Sequence, residues 1–315
     1  MIQVSTFYRL ESTLSVSLLA DSEKSVNRFG LEPAVLESVV INEKVTYKIH
    51  YALSLTDEQI ENAGKSGLKF SDGVIVNKHG IFISGSYSGK MEDMPGCSGY
   101  AGNNAECLRR ALDGNSVCAH CFSLIGIWKT CIPAYTKNDK IFSTDRFQVG
   151  DFVLDPEKFP YFRFSTHGDT MNALHVYNML VCALTNPETQ FTLWTKNIRY
   201  WIDGLAMFEK EYGKKPANFY AIYSWLITDG MPSLEQRQTL KRLGFDAVFV
   251  VYNTWASQNK AVECGAKRCI CGTGSCRHHC KFCYDRKVRS LMGFDGNSDA
   301  VTWIAEIMDG ANHKE

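Results

Sequence analysis

The sequence predicts an α/β fold, namely a complete or partial (β/α) barrel with an N-terminal extension and a C-terminal cysteine-rich metal-binding segment. After residue 80, short β-rich runs alternate with segments that space their apolar residues as a helix does. At least five strands are visible there, and strands that alternate with helices form parallel βαβ units. The length of 315 residues suits one such domain with additions.

The individual elements follow from composition and spacing. β-rich runs predict strands over residues 81–86, 161–165, 191–194, 218–226 and 245–252. Apolar periodicity predicts helices over residues 172–184, 198–212, 234–243 and 299–308. Gly213 is typical of a helix C-terminus, and Ser233 with Gln236 forms a capping box. Gly310 is expected to end the last helix.

Three regions are expected along the chain. Residues 1–79 form an N-terminal extension, with a strand over 45–51 and a short helix that begins at a capping box, Thr56 with Gln59. Residues 80–260 form the barrel-like domain and carry a first group of cysteines. Residues 261–315 form a cysteine-rich metal segment followed by the terminal helix. The extension shows no chemical motif.

Charge and composition exclude several functional classes. The chain has 34 Lys and Arg against 34 Asp and Glu, so bulk electrostatics do not favour a polyanion. At 45% hydrophobic residues it falls in the globular range. The first 30 residues hold no signal-peptide core, and no apolar run is long enough to span a membrane. We expect a soluble, cytoplasmic protein with no membrane partner.

The 12 cysteines are bunched, which favours metal binding over a disulfide framework. Six of them lie within residues 264–283: Cys264, Cys269, Cys271, Cys276, Cys280 and Cys283. Thiolates at such short spacing converge on one soft metal centre, and four of them satisfy either tetrahedral Zn²⁺ or a [4Fe–4S] cluster. Spacing leaves both metals open.

The first group is looser and follows a predicted strand. It comprises Cys97, Cys107, Cys118 and Cys121. Three ligands would leave one iron of a cluster open, whereas Cys107 as a fourth ligand would close it. Catalytic sites of (β/α) barrels lie in the loops at the carboxyl ends of the strands, so this group is the better catalytic candidate. Cys131 and Cys182 are expected to pack.

Two polar residues follow the strand over 161–165. His167 is a candidate proton donor or substrate ligand, and a loop histidine without a role is the alternative. Asp169 either belongs to the site or caps the helix that begins near Asn172. His175, within that helix, is expected to pack.

The order of these pieces resembles the radical S-adenosylmethionine (SAM) barrels: a strand, a cysteine loop, a strand ending in Gly168-Asp169 and a strand ending in Thr195-Lys196-Asn197. The resemblance is closer to the gene product 88 family of phage and bacterial proteins, and it covers roughly residues 80–285. Residues 1–79 have no counterpart in it.

The resemblance implies a SAM-binding [4Fe–4S] cluster on Cys97, Cys118 and Cys121, a closed one if Cys107 also binds. Gly168 and Asp169 would lie near the SAM amino group, with Thr195 and Asn197 in the same cofactor site. A second, auxiliary [4Fe–4S] cluster would be bound by Cys271, Cys276, Cys280 and Cys283. His167 and Asp169 are the catalytic candidates.

The compact signature of radical SAM proteins, C-x3-C-x-aromatic-C, stands at residues 276–283 and not in the first group. A C-terminal SAM cluster occurs in the phosphomethylpyrimidine synthases, which makes this group the minor alternative for the SAM site. Zn²⁺ is the alternative at either site.

The sequence thus predicts an iron–sulfur enzyme that cleaves SAM. It would act on a small molecule or peptide and receive electrons from a flavodoxin or ferredoxin. The alternative is a non-catalytic or redox-sensing zinc or iron–sulfur protein that contacts nucleic acid through its basic residues at 264–289. The residues concerned are Lys267, Arg268, Arg286 and Lys287.

Overall fold

The structure, a computed structural model, describes residues 8–12, 33–41, 44–51, 73–86, 94–113, 116–125, 131–269, 282–291 and 299–307. The chain forms two compact units. The first comprises Met1–Gly67 and Tyr100–Thr136, and the second comprises Leu68–Gly99 and Lys137–Glu315. The predicted helix at Thr56 and the cysteines Cys271, Cys276 and Cys280 lie outside the described residues.

The described elements are numbered in chain order. The strands are β1 Tyr8–Ser12, β2 Pro33–Ile41, β3 Lys44–Tyr51, β4 Val74–Asn77, β5 Ser84–Ser86, β6 Met94–Cys97, β7 Phe152–Leu154, β8 Tyr161–Phe164, β9 Gln190–Thr195, β10 Phe219–Ser224, β11 Ala247–Tyr252, β12 Lys267–Arg268 and β13 Thr302–Ile307. The α-helices are α1 Ala105–Ala111, α2 Phe122–Ile125, α3 Ile132–Thr144, α4 Ala173–Thr185, α5 Ile198–Tyr212, α6 Leu234–Arg242, α7 Trp255–Glu263 and α8 Arg286–Leu291.

The first unit contains an antiparallel sheet in the order β1-β3-β2. Strand β3 confirms the strand predicted over residues 45–51. Helix α1 begins after Asn104, whose side chain accepts hydrogen bonds from the backbone N–H groups of Glu106 and Cys107. This is the expected chemistry of an N-cap asparagine.

The second unit is built on a sheet in the order β12-β13-β11-β10-β9-β8-β6-β5. Strand β5 pairs antiparallel with β6, and the other neighbouring strands are parallel. Strand β7 pairs with β4 in a separate two-stranded sheet. Apart from β7, the strands from β6 to β11 have the same order in the chain and in the sheet, with helices α3 to α6 between them. The α/β class is confirmed, and the parallel sheet is compatible with a partial barrel.

Most predicted elements of the second unit are confirmed. Strands β8 to β11 and helices α4 to α6 occupy the predicted segments within a few residues. Gly213 follows α5 with a φ of +90°, the left-handed backbone that glycine adopts without strain. The Ser233 and Gln236 capping box forms with both of its hydrogen bonds, at 3.1 and 2.8 Å.

Two predictions about this sheet are wrong. Residues 299–308 do not form a terminal helix, because β13 runs through them as a buried strand between β11 and β12. Five of its six residues are buried, so the segment lacks the strict alternation of apolar and polar residues that identifies a strand with one exposed face. The strand over 81–86 shrinks to β5, and the parallel strand that reaches Cys97 is β6 instead. Its Met-Pro-Gly-Cys sequence carries two residues that disfavour strands.

One face of the sheet packs against helices and is called the helix face. Alternate strand residues supply aromatic rings to this core: Phe162, Phe164, Phe191 and Phe219. Trp201 of α5 stacks on Phe219 with ring centroids 6.0 Å apart. His175 of α4 is buried as expected, and burial lowers its pKa from 6.5 to about 3. Cys182 is buried on this face, also as expected.

A buried carboxylate secures the β4–β7 pair. Asp151 accepts hydrogen bonds from Lys78 Nζ at 2.7 Å, from the Gln148 N–H at 2.9 Å and from His79 Nε2 at 3.0 Å. Burial acts to raise the pKa of Asp151, but these hydrogen bonds prevail and lower it from 3.8 to about 2. The charged form is therefore the one that the fold stabilises.

We expect Asp151→Asn to lower the free energy of unfolding at pH 7 by about 1–3 kcal/mol, since hydrogen bonds to a charged group are lost. The folded pKa lies below the unfolded value, so this contribution is complete above pH 3.8 and is lost as the pH falls towards 2. Urea unfolding of both proteins at pH 7 and pH 3 measures it, with Asp203→Asn at an exposed ion pair as the control. An unchanged difference at pH 3 would contradict the assignment.

Candidate functional site at the carboxyl edge of the sheet

The loops after β6 and β8 lie side by side at the carboxyl edge of the sheet. The Ser165 N–H donates to the carbonyl of Cys97 at 2.9 Å, and the Gly99 N–H donates to the carbonyl of His167 at 3.1 Å. The ladder between the two strands thus continues past their ends. In open parallel sheets, ligands bind at this edge.

Asp169 links the end of β8 to the end of β9. Its Oδ1 accepts from Thr195 Oγ1 at 2.6 Å and from the Thr170 N–H at 2.7 Å, and its Oδ2 accepts from the Lys196 N–H at 3.0 Å. Asn197 Nδ2 donates to the carbonyl of Thr170 at 2.8 Å. The structure therefore brings together the predicted cofactor residues Asp169, Thr195 and Asn197, all of them buried.

The alternative role of Asp169 as a helix cap is wrong. Asn172 caps α4 itself, because its Oδ1 accepts from the His175 N–H at 2.9 Å. Asp169 directs its carboxylate to β9 instead. Its place in a SAM site stays a prediction, as do those of Thr195 and Asn197.

Gly168 allows the close approach of the two loops. Its φ is +73°, and a Cβ there would lie 2.9 Å from the carbonyl carbon and oxygen of Gly99. Ser165, three residues earlier, holds a φ of +53°, which is strained for a residue with a side chain. Strained backbone of this kind is concentrated at functional sites.

His167 is largely shielded from solvent at the same edge. Burial, followed by repulsion from Arg163, lowers its pKa from 6.5 to about 4. The imidazole is therefore neutral at pH 7, a form that can accept a proton. Its catalytic role stays a prediction.

The first cysteine group is divided between the two units. Cys97 lies in the second unit, where it is buried among apolar side chains of the helix face. Burial, then the proximity of Cys182 and Asp139, raises its pKa well above 9.0. Cys107, Cys118 and Cys121 lie in the first unit. The metal-ligand role of Cys97 stays a prediction.

Within the first unit, Cys118 and Cys121 share one turn. The Cys121 N–H donates to the carbonyl of Cys118 at 3.1 Å, and Ser116 Oγ accepts from the Cys118 N–H. Among the described residues, no group of three or more His, Cys, Asp and Glu side chains is arranged to hold a metal ion. The metal-ligand roles of Cys107, Cys118 and Cys121 stay predictions.

The C-terminal cysteine group is attached to the second face of the sheet, called the inner face. Phe282, Cys283 and Tyr284 are buried there against β9, β10 and β13. Thr192 Oγ1 donates to the carbonyl of Cys283 at 2.9 Å, and Tyr161 OH donates to Asp285 Oδ2 at 2.6 Å.

The other end of this group is attached to the same sheet. The Cys269 N–H donates to the carbonyl of Ala305 at 2.7 Å, and Cys269 Sγ lies 3.9 Å from Glu306 Oε1. The described residues that precede and follow Cys271, Cys276 and Cys280 in the chain, Cys269 and Phe282, thus both lie against the inner face. The roles of these three thiols and of Cys283 as ligands stay predictions.

Two arginines on the inner face were not predicted from the sequence as site residues. Arg163 lies 3.9 Å from the ring centroid of Trp194, and its Nη1 is 3.3 Å from Tyr284 OH. Arg289 lies 3.9 Å from the ring centroid of Tyr220. Arg163 could have been noticed from the sequence, because it is a charged residue inside an aromatic strand, Tyr-Phe-Arg-Phe. A strand buried on both faces excludes charge unless the charge has a function.

Comparisons of the chain with protein-family models, with curated proteins and with solved structures find no match. Fold and site define an α/β protein with a mostly parallel sheet and a buried polar network at its carboxyl edge. No helix among the described residues is long and apolar enough to cross a membrane.

We expect Asp169→Asn and Thr195→Val each to lower the free energy of unfolding by about 1–3 kcal/mol, because each leaves buried donors or acceptors unsatisfied. The double variant should lose less than the sum, with a coupling of about 1 kcal/mol. Urea unfolding of the four proteins measures the coupling. Strictly additive losses would contradict a direct bond between the two side chains.

Proposed function

We propose that the protein is an iron–sulfur enzyme that cleaves SAM at the inner face of its sheet, with the cluster bound by the C-terminal cysteine group. The observation that carries this proposal is the position of Cys283. It ends the compact Cys276-x3-Cys280-x2-Cys283 signature and is buried on the inner face of a sheet compatible with a partial barrel.

The donor set of this group fits a cubane cluster. Three cysteines at this spacing supply three thiolates and leave one iron for a further ligand. Such a cluster, when bound and reduced, supplies one electron to the sulfonium of SAM. Arg163, on the same face, places positive charge near Tyr284, which is adjacent to Cys283. Positive charge favours thiolate over thiol.

The chain's own residues would exclude water and fix the reactants. Trp194, Tyr220 and Phe249 line the inner face, and Phe282 and Tyr284 cover it. Closing a reactive site to water prevents side reactions of reactive species. The Asp169 network would hold the loops at the carboxyl edge in place for the bound cofactor.

This proposal exchanges the roles of the two cysteine groups. The sequence favoured Cys97, Cys118 and Cys121 for SAM, but Cys97 points into the apolar core of the helix face. The C-terminal signature was the minor alternative. A second cluster on Cys107, Cys118 and Cys121 belongs to the proposal as an auxiliary site, and so does a flavodoxin or ferredoxin as electron donor.

A protein that contacts nucleic acid through the basic residues at 264–289 stays the second candidate function. Among the basic residues at 264–289, Arg268 directs its guanidinium to Gln258 and Asn259, at 2.8 and 2.6 Å. Arg289 is buried against Tyr220 and does not face solvent. A phosphate backbone needs exposed charge, which Arg289 does not offer but Lys267, Arg268 and Lys287 do, because all three are exposed.

Anaerobic purification followed by assays of iron, sulfide and zinc tests the proposal. We expect about four iron and four sulfide per chain for each cluster, and 5′-deoxyadenosine when the reduced protein meets SAM. Cys283→Ala should lose about four iron and all SAM cleavage. Cys182→Ala, another buried cysteine, is the control and should retain both.

Cys97→Ala separates the two assignments. It should retain iron and SAM cleavage if the C-terminal group carries the SAM cluster, and it should lose both if the first group does. Zinc at one or two per chain without sulfide would contradict the iron–sulfur function altogether.

A further inference from the structure

Arg289 holds a buried positive charge at the inner face. The residue lies on α8 and is 4% exposed, and its guanidinium carbon lies 3.9 Å from the ring centroid of Tyr220. Tyr220 lies opposite Thr192 in the sheet register, and Thr192 lies opposite Arg163. Arg163, Thr192 and Tyr220 thus form one row across β8, β9 and β10 on the inner face. Arg163 lies at one end of this row, and Arg289 packs on Tyr220 at the other end.

The guanidinium of Arg289 is incompletely satisfied. Its Nε and Nη1 are fully buried, and among the described residues neither atom has a hydrogen-bond partner and no carboxylate forms an ion pair with the guanidinium. A guanidinium stays charged at any physiological pH, so the energetic cost of burying the charge cannot be removed by loss of a proton. The face of the Tyr220 ring offsets only part of the desolvation.

The acidic residue next to α8 is engaged elsewhere. Asp285 accepts from Tyr161 OH at 2.6 Å with Oδ2, and from the N–H groups of Lys287 and Val288 with Oδ1. It thus caps α8 and fastens the segment to β8. The structure leaves Arg289 as a cation that an anion from outside the described chain would complete.

We propose that Arg289 binds an oxyanion, the carboxylate or phosphate group of a small-molecule substrate held at the inner face. Arginine suits this role, because its flat, weakly hydrated guanidinium stacks on a ring while its N–H groups donate to oxygen. The inference rests on the proposed function only in naming the anion as part of the substrate. Binding of the anion itself needs no SAM chemistry.

Thermal unfolding of the intact holoprotein in sodium phosphate, sodium acetate or sodium chloride at equal ionic strength tests the proposal. Phosphate or acetate should raise Tm above its value in chloride, because a ligand of the folded state stabilises it. A response to phosphate alone identifies a phosphoryl group if Arg289→Met abolishes it, because phosphate also stabilises folded proteins without binding a site. A response to acetate alone identifies a carboxylate.

Arg289→Met separates binding from packing. It should raise Tm in chloride, because an uncompensated buried charge is removed, and it should abolish the response to the anion. Arg289→Lys keeps the charge and should retain the response with about tenfold weaker apparent affinity. Arg199→Met, at a side chain that is 89% exposed, should respond as the wild type does.

Equal Tm values for the wild type in all three salts would overturn the proposal. So would an Arg289→Met variant that unfolds earlier in chloride and keeps the response, since Arg289 would then serve packing alone. SAM cleavage measured on the same samples keeps the two proposals apart. An anion response without SAM cleavage contradicts only the proposed function, and SAM cleavage without an anion response contradicts only the role of Arg289.

Discussion

A parallel sheet leaves neither face to solvent, and the second unit is organised by this requirement. Helices α4 and α5 cover the helix face with aromatic and aliphatic side chains. The inner face is covered by residues 282–284 and α8, a segment that contains the last of the C-terminal cysteines, Cys283. The same contacts that bury the sheet therefore also fix the position of Cys283 and bring Arg289 to Tyr220.

The elements that could be predicted from sequence are those with a local cause. Helix α5 was predicted to the residue because its apolar spacing and Gly213 act within one segment. Strand β13 was misassigned because its environment is supplied by β11 and β12, which are distant in sequence. Strand β6 was missed because pairing with β8 overrides the poor strand propensity of its Pro and Gly.

Some features of the candidate site could likewise be predicted from the sequence, and others could not. Asp169, Thr195 and Asn197 stand at strand ends, and parallel strands bring such ends together, so their proximity could be predicted. Which face a side chain takes depends on pairing register, and a shift of one residue reverses it. For this reason the burial of Cys97 in the helix face, and of Arg163 on the other face, needed the structure.

The order of strands at the far end of the sheet bears on synthesis of the chain. Strand β12 pairs only with β13 among the described strands, and β13 lies between it and β11. When the C-terminal cysteines have just left the ribosome, the strand with which β12 pairs has not yet been made. The edge of β11 stays open until residues 302–307 leave the ribosome. Native pairing of β12 therefore waits for β13, which follows it in the chain.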